Sequence, residues 1–67
     1  MIPEPAPGTV VCWQTLMGPS WYTFAAVHIE AVGWYVTGQW TQPITWAEVL
    51  SLARGSPVYA AAHWTPL

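Results

Sequence analysis

Residues 45–55, Thr-Trp-Ala-Glu-Val-Leu-Ser-Leu-Ala-Arg-Gly, constrain the fold more than any other stretch, because start signal, period and stop signal agree on one short helix. Thr45 and Glu48 have the spacing of a capping box. The Thr hydroxyl accepts from the Glu48 amide, and the Glu48 carboxylate reaches back to the Thr45 amide. Ile44 and Val49 occupy the two positions of a hydrophobic staple. Trp46, Val49, Leu50 and Ala53 fall on one face at three- and four-residue steps. Glu48 in the first turn and Arg54 in the last complement the helix dipole. Gly55 is placed to take the left-handed position after the helix, and Pro57 prevents continuation.

The rest of the chain reads as strand and turn. Residues 9–14 (TVVCWQ) are β-branched and aromatic and give a first strand. Met17-Gly18-Pro19-Ser20 is a connecting turn. Residues 21–30 give the longest strand. Alternation places Trp21, Thr23, Ala25, Val27 and Ile29 on one face, expected to be the core face. Tyr22, Phe24, Ala26, His28 and Glu30 take the other, which ends in polar groups. Ala31-Val32-Gly33 is a hairpin connection, and residues 34–37 (WYVT) a third strand. Gly38 to Pro43 is a polar loop carrying Trp40. Residues 58–64, bounded by Pro57 and Pro66, give a last strand with Val58, Ala60, Ala62 and Trp64 on one side. The expected fold is therefore a small α+β domain with the order β-β-β-α-β: an antiparallel meander, a short helix packed on the sheet, and a final strand joining an edge.

Residues 1–8 form a proline-rich N-terminal arm, and residues 9–67 form the single domain. The arm holds Pro3, Pro5 and Pro7 and has no core of its own. If ordered, it is expected to lie on a neighbour, since chain ends fray unless tied down.

Composition enters through a conflict. The chain has 67 residues, 54% of them hydrophobic and only 6% charged, with six Trp, three Tyr and one Phe. Each ring carries roughly 150–250 Å² that favours leaving water. A domain of this size buries only about 60% of the surface its unfolded chain exposes. The charged side chains Glu4, Glu30, Glu48 and Arg54 are too few to dilute the remainder. A contiguous apolar patch left outside marks a contact surface, so a protein partner is expected, either copies of the chain itself or a larger assembly.

Other classes of partner fit less well. The longest mostly apolar run, residues 21–29, is interrupted by Thr23 and His28 and falls short of the roughly 20 residues of a membrane helix. The residues at the start lack the basic and apolar regions of a signal peptide. One Arg and no Lys give no phosphate-neutralising patch, which argues against nucleic acid. A single Cys allows no internal disulfide framework. The expected location is a cytoplasm, or a particle into which the protein is packed.

No catalytic residues are assigned. Cys12 with His28 or His63 has the residue types of a nucleophile–base pair. However, a thiolate needs a positive setting that this chain does not supply, and a buried small hydrophobe on a strand is the favoured reading. His28, Glu30 and His63 have the ligand types of a metal site at an unspecific spacing, with an exposed polar rim as the plainer reading. No cofactor is expected. Trp13, Trp34, Trp46 and Trp64 fall on plausible inward faces. Trp21, Tyr22, Tyr35 and Trp40 are the contact candidates, because Trp and Tyr bring large area with a polar handle.

The motifs PGTVV, GWYVTG, ITWAEVL and the closing Gly-Ser-Pro-Val resemble small proteins encoded by bacteriophages of actinobacteria. The resemblance rests on short motifs spread over most of the chain, and the low charge departs from the pattern. It implies a phage origin, hence a host cytoplasm or a virion, and brings no catalytic residues. The leading expectation is a non-enzymatic phage protein acting through protein–protein contacts, self-associating or virion-associated in the manner of a minor capsid or decoration component. A regulator or inhibitor of a host protein is the alternative, and a small metal- or ligand-binding protein a second.

Overall fold

The computed structural model describes residues 2–38 and 42–67, and its elements follow the order β-β-β-α-β-β. The strands are β1 (Val10–Met17), β2 (Ser20–Ile29), β3 (Gly33–Val36), β4 (Val58–Ala60) and β5 (Thr65–Pro66), and the helix is α1 (Trp46–Ala53). They form one antiparallel sheet in the order β3-β2-β1-β4-β5. The small α+β domain expected from the sequence is the fold observed.

Helix α1 begins as its local chemistry dictates. Thr45 Oγ1 accepts from Glu48 N at 3.2 Å, and Glu48 Oε1 accepts from Thr45 N at 3.0 Å. Trp46, Val49 and Ala53 are buried against the sheet. At the C-terminal end Gly55 takes the expected positive φ (81°), but the cap residue before it is also left-handed (φ 53°) and is Arg54, so no basic residue lies in the last turn. Its amide donates to Ser51 O at 3.2 Å.

Gly18 and Pro19 close a two-residue hairpin, with Met17 paired to Ser20. β1 and β2 then run together in register to Val10 and Val27. β4 returns antiparallel along the other side of β1, placing Val58 opposite Trp13 and Ala60 opposite Val11. The last strand is shorter than the sequence suggests. It ends at Ala60, and residues 61–64 turn the chain back into β5. Trp64, at φ 51°, is in this turn and 67% exposed, not inward.

The face of β2 that meets the core is also the opposite of the expected one. Ala26 is buried and Phe24 packs on the core, whereas Trp21 and Thr23 are exposed. The core comprises Val11, Trp13, Ala26, Trp34, Val36, Trp46, Val49, Ala53 and Val58. The physical reason is at His28. Its polar ring was grounds for placing that face outward, but the inward ring finds partners: Nδ1 lies 2.7 Å from Pro5 O, and the ring stacks on Trp34 with centroids 4.6 Å apart.

The Pro5 carbonyl belongs to the N-terminal arm, which lies along its own domain. Trp46 Nε1 donates to Ile2 O at 2.9 Å and Trp34 Nε1 to Glu4 Oε2 at 2.8 Å. Gly8 N donates to His28 O at 2.7 Å, and Ile2 packs on the core. Helix and arm thus cover the same side of the sheet. Among the described residues, no helix or strand covers the other.

Candidate functional site

Strand alternation fixes what the uncovered face presents. β1 contributes Val10, Cys12, Gln14 and Leu16, and β2 contributes Trp21, Thr23, Ala25, Val27 and Ile29 in register with them. Tyr35 of β3 lies opposite Val27, and Tyr59 of β4 lies opposite Cys12. Trp64 folds back toward Tyr59, the two rings 6.1 Å apart and tilted by 56°. Val10, Leu16, Trp21, Ile29, Tyr35 and Trp64 are all among the exposed large hydrophobics. None of the side chains on this face carries a formal charge.

At the β1–β2–β4 end the face is concave. A groove of about 540 Å³ is lined by Trp21, Tyr59 and Trp64, together with Cys12, Trp13, Gln14, Thr23, Ser56 and Pro57. Gln14 Nε2 donates to Thr23 Oγ1 at 3.3 Å across the strand pair, so part of the polar lining is internally paired. Cys12 is a free, buried thiol, consistent with the small-hydrophobe reading. The arrangement offers aromatic area and neutral hydrogen-bonding groups. It offers no fixed charge with which to polarise a substrate or hold a phosphate.

The contact candidates divide between the two sides. Trp21 (63% exposed) and Tyr35 lie on the open face, at its two ends, six residues apart along the paired strands or roughly 20 Å at about 3.3 Å per residue. Tyr22 is exposed but points to the helix side, beyond Thr15, whose hydroxyl donates to Leu52 O at 3.3 Å. Trp40 lies outside the described residues. Tyr59 and Trp64 also lie on the open face, although the alternation of residues 58–64 predicts an inward Trp64 on a longer strand. A signal for its position is Pro66 two residues on, since proline favours edges and turns over strand interiors.

The three possible metal ligands do not converge. His28 is turned inward beneath the arm, with its Nε2 3.6 Å from Glu4 Oε2. Glu30 is exposed in the β2–β3 turn, and His63 is exposed in the turn after β4. Among the described residues, no group of three or more His, Cys, Asp or Glu is close enough to hold a metal ion. Among the described residues, no helix is long and apolar enough to cross a membrane.

The free edges of the sheet are poorly suited to strand addition. Trp34 on β3 already exchanges both backbone hydrogen bonds with Ile44, each at 2.8 Å. The opposite edge, β5, is two residues long and includes Pro66, a residue that cannot donate to a ladder. The face of the sheet, not its edge, is the available surface. Comparison with protein-family models, curated proteins and solved structures finds no match for this chain.

Proposed function

We propose that this is a non-enzymatic protein that works by protein–protein contact through the open face of its sheet. It is a self-associating or virion-associated accessory of a phage, acting in the host cytoplasm or the particle. The observation that supports the contact reading is the uncharged open face itself, with Trp21 63% and Trp64 67% exposed on it. Six large apolar side chains there leave roughly 600 Å² in contact with water, taking ring areas of about 150–250 Å² as the scale. That is at the upper end for the largest apolar patch of a typical monomer, about 300–600 Å². The phage assignment is supported by the short sequence motifs alone.

The test is recovery of the full-length protein from host cells and from purified particles, in parallel with Trp21→Ser and Trp64→Ser. The proposal expects the wild-type chain in a stable complex or on particles, and the two variants free. A wild-type chain that stays a soluble monomer, binds no particle, and matches both variants in every fraction contradicts it.

A further inference from the structure

We infer that the open face is closed by a second copy of this chain, packed sheet to sheet about a two-fold axis, with the exposed indoles of Trp21 and Trp64 seated at the partner's groove. This rests on the contact reading above and names its partner.

Three features suit a second copy. The first is charge. A two-fold interface brings one patch against itself, so any charged cluster would meet its own image. The open face has no charged side chain, although Glu4, Glu30, Glu48 and Arg54 are all present elsewhere on this small surface. A partner recognised by charge would find nothing here to pair with. The second is shape. Trp21 and Trp64 stand beside a groove of about 540 Å³ that they help to line. Pockets of roughly 300–1,000 Å³ hold a drug-sized molecule, so an indole ring fits within this one. Projection and recess lie on the same patch, which is the requirement for a self-complementary contact. The third is area. Complete burial of both faces removes roughly 1,200 Å² from water, the low end for a specific interface. Sheets stack about 10 Å apart, a spacing the interdigitated rings fill. With edges blunted at Ile44 and Pro66, face-to-face packing is the geometry that remains.

Sedimentation equilibrium of the full chain from about 1 to 200 µM, a range bracketing micromolar dissociation constants, tests the inference. Expected is a reversible rise from 7.4 kDa toward twice that mass. Trp21→Ser and Trp64→Ser each weaken the dimer about 30-fold, the loss expected for a buried aromatic anchor, while retaining the wild-type far-ultraviolet circular dichroism. Tyr22→Ser, an exposed ring on the helix side, leaves the dimer constant unchanged within about twofold, the behaviour of a residue outside the contact. A wild-type monomer throughout the range overturns the inference, as does a dimer indifferent to Trp21 and Trp64. If the wild type is monomeric but Trp21→Ser and Trp64→Ser abolish capture by particles, the contact reading stands and the second copy is the wrong occupant.

Discussion

Gly33→Ala is expected to be among the most damaging single-methyl changes in this protein. Gly33 opens β3 at φ 130°, and a Cβ built there falls 2.9 Å from Ile44 O. Two costs add. The backbone conformation is one that L-residues rarely adopt, which costs about 1–3 kcal/mol. The clash is with a backbone oxygen that cannot rotate aside, because it accepts from Trp34 N at 2.8 Å. Relief means moving the 43–44 segment off β3, weakening the two Trp34–Ile44 hydrogen bonds at about 1 kcal/mol each. The sum is about 2–5 kcal/mol, against a total stability of roughly 3–10 kcal/mol for a domain of this length. Gly18→Ala provides the control, since φ there is also positive (63°) but nothing lies within 4 Å of the added Cβ. It is expected to cost about 1–2 kcal/mol, the left-handed backbone term alone. Urea unfolding followed by tryptophan fluorescence measures both. If Gly33→Ala is no worse than Gly18→Ala, the close approach of the 43–44 segment to β3 is wrong.

Three further substitutions examine the helix start, the core and the arm. Thr45→Ala removes the capping hydroxyl and is expected to cost about 1 kcal/mol, read from the urea midpoint; no change would mean that the capping box contributes nothing. Trp34→Phe is expected to destabilise more than Trp13→Phe, by about 1–2 kcal/mol. The Trp34 indole donates to Glu4, whereas the buried Trp13 indole has no hydrogen-bond partner among the described residues. Equal losses in thermal melts would contradict that reading of the two N–H groups. Glu4→Ala is expected to cost about 1 kcal/mol, lowered by the carboxylate's partial exposure, and to speed hydrogen exchange at the Trp34 indole. Unchanged exchange there would show that the arm does not shield it.

What could be read from the sequence tracks how local the determinants are. Helix α1 was fully legible at its start because Thr45, Glu48 and the Trp46–Val49–Ala53 stripe lie within nine residues. The hairpin at Gly18-Pro19 and the inward Trp34 were legible for the same reason. The inward face of β2 was not, because both of its faces are apolar and the decision rests with partners far along the chain. His28 turns inward because Glu4 and Pro5, more than twenty residues earlier, come to meet it. The arm's docking was illegible for the matching reason: its partners are the indoles of Trp34 and Trp46, far downstream. Trp64 was misplaced because the alternation of residues 58–64 continues past the point where the strand stops. The apolar excess was legible from composition, but not the face on which it would gather. Of the contact candidates, Trp21 and Tyr35 fall on that face, Tyr22 does not, and Tyr59 and Trp64 join them only through the fold.

The most direct measurement is an isotope-filtered nuclear Overhauser experiment on a mixture of labelled and unlabelled full-length chains at several hundred micromolar, above the expected dissociation constant. Expected are contacts between copies from the indole rings of Trp21 and Trp64 to the Leu16 and Tyr59 side chains, and none from the exposed residues of helix α1. Intermolecular contacts made by the helix side instead, or none at any concentration, would contradict the claim that the bare face of the sheet is the working surface closed by a second copy.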